Sequence, residues 1–200
     1  MNISQFFLLL YCSIAQWFML FPEKERFSSK TVVIDSQSSI IEILGTTNVN
    51  EFSCRYFSTI AADSLKINLV RDEGKMFLSA ASIQLPIALF ECDNGQMTHD
   101  FKALLNREYF PNITIDLLKI YTKGQLKNHV EASISLAGRT KIIVFPIELS
   151  QKDEIYYCKG KPQISIIDFG LTAPEKFFGL VKVNEDIFVK FSLVFEVLDT

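Results

Sequence analysis

Residue types that build catalytic and metal sites are scarce in this sequence. Only two histidines occur among 200 residues, His99 and His129, and neither has a second ligand at a spacing suited to a metal ion. The sequence contains no C-x-x-C, so a zinc site or a thioredoxin-like redox site has no support. It also lacks G-x-S-x-G and a glycine-rich phosphate loop, which leaves a hydrolase nucleophile and a nucleotide site without a motif.

An excess of one charge is also missing. Twenty Lys and Arg stand against 23 Asp and Glu, the formal net charge is -3, and no long basic run occurs. Nucleic acid is therefore a poor candidate for a partner. Charged residues make up 22% of the chain and hydrophobic residues 48%, which is the composition of a globular protein. A chain of 200 residues can form one domain with a substantial core.

Tryptophan is nearly absent, whereas phenylalanine is abundant. The chain has one Trp and 18 Phe. Because the Phe side chain carries no polar group, it either fills a core or lines an apolar cavity. Phe52, Phe191 and Phe195 fit both interpretations, and composition alone leaves the two open.

The first apolar run, FFLLLYCSIAQWFMLF, covers Phe6 to Phe21. It is shorter than the about 20 residues that a spanning helix needs, and it contains Gln16. Phe6 to Cys12 has the length of a signal-peptide h-region, and Ser13-Ile14-Ala15 supplies small residues before a cut between Ala15 and Gln16. This pattern predicts a secretory signal peptide.

We therefore expect residues 1–15 to be a signal peptide, residues 16–30 an N-terminal extension, and the mature protein to be periplasmic or otherwise exported. The first five residues, MNISQ, contain no Lys or Arg, which is atypical of a signal. An uncleaved anchor and a lipid anchor on Cys12 are the alternatives.

Three cysteines, Cys54, Cys92 and Cys158, remain once such a signal is removed. An exported protein meets an oxidising compartment, and an odd number of thiols allows at most one internal bridge. Cys54 and Cys92 are the preferred pair because both lie at the ends of segments that we place in neighbouring strands. Three unpaired, buried thiols are the alternative.

Alternation of apolar and polar residues dominates the chain from residue 31 onward. Residues 130–136 show it most clearly, with Val, Ala, Ile and Leu alternating with Glu and Ser. About eight or more such segments, strands predicted at 76–85 and 163–169 among them, follow one another, mostly through short turns, which indicates antiparallel neighbours. So many strands in one domain of this size close into a barrel or split into a sandwich.

One segment departs from alternation. Asp93-Asn94-Gly95-Gln96 offers N-cap side chains, and Met97, Phe101, Leu104 and Leu105 follow at helical spacing. These features predict a short helix around 97–107. His99 and Asp100 are adjacent on it and therefore point to different faces, so we expect no catalysis from this pair and no enzyme.

Four stretches together resemble the YceI-like family of exported lipid-binding barrels, especially its members from Bacteroidetes-type bacteria. In chain order they are SSIIEILGTTNVNEFSC, FECDNGQMTHDFKALLNREYFPNITIDL, EASISLAGRTKIIVFPIEL and ISIIDFGLTAPEKFFGLVKVNEDIFVKFSLVFEV. Their order and spacing carry the resemblance, which spans roughly Thr31 to Val197. The family's usual His before the hairpin Gly is Ala137 here, so any role of that His is missing.

The resemblance implies an all-β fold, an eight-stranded antiparallel lipocalin-like β-barrel over residues 31–198. It also implies an elongated apolar tunnel that holds a polyisoprenoid or another long lipid chain. We expect no metal and no cofactor beyond such a lipid. An eight-stranded barrel is wide enough for one slim ligand or is filled by its own side chains. The expected lining residues are Phe52, Leu85, Ile115, Leu117, Ile134, Phe191, Leu193 and Phe195.

A second hypothesis is a structural or interaction protein of the cell envelope whose barrel core is filled. Such a protein would meet its partner through an outer face or through the long connection from Gly170 to Val183, which contains Phe177, Phe178 and Leu180. The oligomeric state stays open, a homodimer included.

Overall fold

Strand segments make up most of the protein. The computed structural model describes residues 26–57, 64–176 and 180–199. The predicted signal peptide, residues 1–15, lies outside this part of the chain. The strands are β1 (Arg26–Ile34), β2 (Ile40–Thr46), β3 (Glu51–Tyr56), β4 (Ser64–Asp72), β5 (Lys75–Ser79), β6 (Ser82–Pro86), β7 (Phe90–Cys92), β8 (Asn112–Tyr121), β9 (His129–Leu136), β10 (Arg139–Lys152), β11 (Ile155–Gly160), β12 (Gln163–Ser165), β13 (Glu175–Lys176), β14 (Val181–Lys182) and β15 (Asp186–Asp199). One α-helix, α1 (Gly95–Leu104), and two 3-10 turns, Ile87–Leu89 and Ile166–Phe169, complete the described elements.

These segments close into an eight-stranded antiparallel barrel. Four of the eight barrel strands are interrupted, so that each consists of two or three of the segments above. The segments of one barrel strand pair with the same neighbouring barrel strands. These sets are β1 and β2; β3 and β4; β5, β6 and β7; and β11 and β12. The others are β8, β9, β10 and β15. β15 pairs with β11 and β12 on one side and with β1 and β2 on the other, which closes the ring. This arrangement confirms the predicted fold class.

The β9–β10 hairpin shows how the sequence determines the two faces of the sheet. Burial alternates along the whole of β9, with Val130, Ala132, Ile134 and Leu136 buried, as the alternation predicts. The two-residue turn that follows has positive φ at both Ala137 and Gly138, the geometry of the turn that matches strand twist. A side chain at position 138 would overlap the ring of Phe110, so the turn needs glycine there.

The helix lies slightly earlier than predicted. It spans Gly95–Leu104 instead of 97–107. The Asn94 side chain accepts a hydrogen bond from the Met97 N–H at 2.9 Å, which fixes the start of the helix at the predicted N-cap segment. Asn106 has φ 53°, a left-handed conformation that ends the helix before residue 107.

Three strand predictions also differ from the strands in the structure. β1 begins at Arg26, inside the predicted N-terminal extension, and pairs with β4 from there. The predicted strand 76–85 breaks at Ala80, whose φ is 61°. The predicted strand 163–169 ends at Ser165 and continues as a 3-10 turn up to the left-handed Gly170. Alternation does not reveal such breaks, because a single left-handed residue leaves the hydrophobic pattern intact.

A polar cluster on the outer face joins β8 and β9. The Lys119 ammonium donates to Glu131 Oε2 at 2.9 Å, and the Tyr121 hydroxyl donates to the same oxygen at 2.7 Å. These hydrogen bonds, first that from Lys119, lower the pKa of Glu131 below its ordinary value. The folded carboxylate is therefore stabilised above its unfolded pKa, and this contribution is lost as the pH falls through the lower, folded pKa.

We expect Glu131→Gln to reduce the acid sensitivity of the barrel. At neutral pH the substitution should cost about 1 kcal/mol or less, because the cluster is partly exposed. The free energy of unfolding, measured in urea from neutral to acidic pH, should decline less steeply than in the unsubstituted protein. Glu148→Gln, on the exposed face of β10, is the control. An unchanged acid profile for Glu131→Gln would contradict the assignment.

Candidate ligand cavity

The barrel contains a cavity of about 670 Å³ at the end where α1 lies. Its walls are the inward-facing side chains of the strands, and almost all of them are apolar. The innermost wall residues include Ile41 and Ile43 of β2, Cys54 of β3, Leu85 of β6, Ile113 and Ile115 of β8, Ile134 and Leu136 of β9, Ile164 of β12, and Ile187 and Val189 of β15. A volume of this size lies within the range of about 300–1,000 Å³ that is usual for small-molecule sites.

Four of the eight residues predicted to line a tunnel do line this cavity. They are Phe52, Leu85, Ile115 and Ile134. Leu117, Phe191, Leu193 and Phe195 are on inward-facing positions as well, but they pack against the buried core clusters and are not part of the cavity wall. The structure thus divides the predicted set by depth along the barrel. A ligand-binding role for the four lining residues remains a prediction.

The helix α1 closes part of the cavity mouth. Met97, Phe101 and Leu104 contribute to the lining, together with Leu105 just after the helix. Phe101 also packs on Phe90 with the ring centroids 5.6 Å apart, which fixes the helix on the barrel. The helical spacing of these residues was visible in the sequence, but it did not say that their apolar face covers a cavity.

Polar side chains occur at the mouth and are absent from the inner wall that the structure describes. They are Thr47, Asn50, Asn94, Gln96 and Asp100. Several are already hydrogen-bonded to one another: the Thr47 hydroxyl donates to Asn50 Oδ1 at 2.6 Å, and the Gln96 amide donates to Asp100 Oδ1 at 3.1 Å. A ligand in this cavity would therefore have its apolar part inside and any polar group at the mouth.

Loop residues that alternation could not assign also contribute to the mouth. Val49 comes from the β2–β3 turn, Pro174 from the connection after the second 3-10 turn, and Val181 and Val183 from the segment before β15. The predicted partner-binding connection, 170–183, thus contributes to the cavity in its described part. Phe177 and Phe178, on which that hypothesis also relied, lie outside the described residues.

One wall residue of the cavity, Cys54, forms a disulfide bond. Cys54 of β3 and Cys92 of β7, the pair preferred from the sequence, are bonded directly across the two strands. Cys54 is fully buried, and β7 leads within three residues into α1. The bond therefore ties the wall of the barrel to the strand that carries the helix.

The third thiol, Cys158, points inward from β11 and is half-buried. Burial raises its pKa to about 11, so it stays protonated at neutral pH.

Among the described residues, no group of three or more His, Cys, Asp or Glu could hold a metal ion. His99 is mostly exposed and its Nδ1 lies 3.9 Å from Asp100 Oδ1. In that same part of the chain, no helix has the length and apolarity to cross a membrane.

A closed antiparallel barrel with an apolar cavity open at one end defines the class of lipocalin-like barrels. Within that class, the family model for the YceI-like domain matches residues 32–195, and the chain belongs to this family.

Solved structures show the same fold at low sequence identity. Burkholderia cenocepacia BcnA is 14% identical, with 80% of this chain and 98% of that chain covered and a TM-score of 0.56. A polyisoprenoid binding domain from Saccharophagus degradans is 11% identical, with coverages of 86% and 99% and a TM-score of 0.56. A mutant YCEI protein of Campylobacter jejuni is 14% identical, with coverages of 70% and 82% and a TM-score of 0.51. No curated protein matches the sequence.

Proposed function

We propose that this protein binds a long hydrophobic chain, of the polyisoprenoid type, inside its barrel, and sequesters or carries it without covalent chemistry. The apolar cavity of about 670 Å³ is the observation that carries the proposal. The Saccharophagus degradans domain, which has the same fold, is described as polyisoprenoid binding. Both point to a ligand whose recognised part is a hydrocarbon chain.

The chemistry of the wall favours hydrocarbon over other ligands. Residues such as Ile43, Leu85, Ile115 and Val189 offer dispersion contacts and no hydrogen bonds. A polar group placed among them would lose its bonds to water without replacement, which costs roughly 1–3 kcal/mol or more. Each buried methylene instead contributes about 0.8 kcal/mol, so a chain binds tightly without a specific polar contact.

Export is part of the proposal. The h-region from Phe6 to Cys12 and the small residues up to Ala15 support a secretory signal. The Cys54–Cys92 disulfide supports it independently, because such bonds persist mainly in oxidising compartments such as the periplasm. A carrier in that compartment would shield a water-insoluble chain between membranes.

The filled-core hypothesis has less support. A barrel that serves only as a scaffold would fill its interior with its own side chains, as most proteins of this size do. Here a cavity of about 670 Å³ lies between Ile134 and the mouth, and the inner wall, in the part of the chain that the structure describes, has no polar side chain that would hold ordered water. The space therefore suits an apolar guest better than solvent.

Mass spectrometry of organic extracts tests the proposal. Protein purified from its native host should release one class of hydrophobic compound in near-stoichiometric amount. The cavity-blocked variant Ile134→Trp, expressed and extracted in the same way, should release little of it. Extracts of the two proteins with equal lipid content would remove the basis for an internal site.

A further inference from the structure

The cavity ends inside the barrel, within the described strands. Along β15, the inward-facing Ile187 and Val189 line it, whereas Phe191, the next inward-facing residue, does not. Along β9, Ile134 lines it and Ala132 does not. The cavity therefore stops between two adjacent layers of side chains.

Strand register locates these transitions relative to the neighbouring strands. Ile115 of β8 pairs with Ile134 of β9, and both line the cavity. The next inward-facing pair, Leu117 with Ala132, belongs to the packed layer beneath. Phe191 pairs with Ile41, a lining residue, so the inner limit of the cavity passes through this pair.

The ring of Phe191 lies at this boundary and is held from several sides. It contacts both buried core clusters, and it meets Phe145 edge-on with the centroids 6.1 Å apart. It covers Gly160 on the neighbouring β11 so closely that a Cβ there would overlap the ring. Ala132 is fully buried in the same layer, and its small side chain leaves space for the packed aromatic rings.

The volume above this layer limits the length of chain that fits. One heavy atom takes up about 30 Å³ in a liquid such as water, so a cavity of about 670 Å³ holds on the order of 20 heavy atoms. That is a hydrocarbon of about four isoprene units. A longer chain would extend past the mouth residues Asn50, Gln96 and Asp100 into solvent, where its remaining units gain little.

We infer that the packed layer that contains Phe191 forms the floor of the cavity and limits the chain of the ligand to about four isoprene units. The inference rests on the proposed function, because it specifies which hydrophobic chain the same site accepts. Affinity should rise about fourfold for each methylene that enters the cavity and should stop rising once the chain reaches Phe191.

Binding of prenyl alcohols that lengthen one isoprene unit at a time tests this assignment. Purified full-length protein is first delipidated and loaded with a fluorescent fatty-acid probe. It is then titrated with farnesol, geranylgeraniol, geranylfarnesol and solanesol. The loss of probe fluorescence as each alcohol displaces the probe measures its affinity. Unsubstituted protein should gain affinity from farnesol to geranylgeraniol and gain less than about threefold beyond it. A continued steep rise in affinity up to solanesol would contradict the assignment of the floor.

Two substitutions should move the optimum in opposite directions. Phe191→Ala removes the ring and should raise the affinity for geranylfarnesol at least tenfold relative to geranylgeraniol. Val189→Phe places a ring one inward-facing position higher and should move the optimum to farnesol. Phe188→Ala, on the outward face of the same strand, is the control and should keep the original profile. Phe191→Leu is the milder replacement if Phe191→Ala is too unstable to purify.

The outcomes separate the two proposals. If all four alcohols fail to bind the unsubstituted protein, the proposed function itself falls and the length assignment with it. If they bind but Phe191→Ala, Phe191→Leu and Val189→Phe keep the unsubstituted profile, the chain site stands and Phe191 is not its floor. Opposite shifts by Phe191→Ala and Val189→Phe, with an unchanged Phe188→Ala, support the assignment.

Discussion

Replacing Ile134 with Trp should lower the affinity for a prenyl chain about 100-fold while the barrel still folds. Ile134 is 8% exposed and lies at the inner end of the cavity wall, paired with Ile115 across the β8–β9 ladder. An indole there projects into the cavity and excludes roughly four methylenes, each contributing about 0.8 kcal/mol. The sum, about 3 kcal/mol, corresponds to the expected loss. Overpacking should cost about 1–3 kcal/mol of stability.

Ile142→Trp is the matched control for that experiment. Ile142 lies on the outer face of the adjacent strand β10 and is 63% exposed, so the same indole there points into solvent. Circular dichroism and a urea titration should show that both variants fold. Chain affinity should fall only for Ile134→Trp. Equal affinities in two folded variants would show that the chain binds elsewhere.

Removing the disulfide should have the second large effect. Cys54 and Cys92 are 38 positions apart, and closing a loop of that length in the unfolded chain lowers its entropy by an amount worth about 4 kcal/mol. The double substitution Cys54→Ala, Cys92→Ala should therefore lower the free energy of unfolding by about 4 kcal/mol. That is a large share of the about 5–15 kcal/mol that stabilises an ordinary domain.

Cys158→Ala separates loss of the bond from loss of a thiol. Cys158 is half-buried against the core and is not in the disulfide, so its truncation should cost about 1 kcal/mol. Reductant should lower the urea midpoint of unsubstituted protein towards that of the double variant. A double variant as stable as Cys158→Ala would mean that the bond does not constrain the unfolded chain.

The inward-facing positions of the barrel could be predicted from the sequence, and their depth could not. Alternation assigned Ile134 and Phe191 to the same face of the sheet, and both do point inward. Only the first lines the cavity, because depth depends on the register between strands that are distant in the sequence. A pattern of period two identifies a face and contains no information about height along the barrel axis.

Contributions from outside the strands were harder to predict. The apolar face of α1 was evident from Met97, Phe101 and Leu104, but helical spacing does not identify what that face covers. Val49 and Val183 lie in turns, where an isolated valine carries no pattern at all. The Cys54–Cys92 pairing was accessible because both residues could be assigned to neighbouring strands before their register was known.

The closure of the ring also determines the order in which the protein can fold. Within the described residues, seven of the eight contacts between barrel strands join consecutive strands, and most of these strands are linked by short turns, which favours rapid pairing. The eighth joins β15 to β1 and β2, so residues such as Leu198 and Thr31 meet across almost the whole chain. Until β15 docks, the nascent sheet has two unpaired edges and an exposed apolar face, and such a state is prone to aggregation. Among the described barrel strands, β15 is thus synthesised last, and its docking removes both exposed edges.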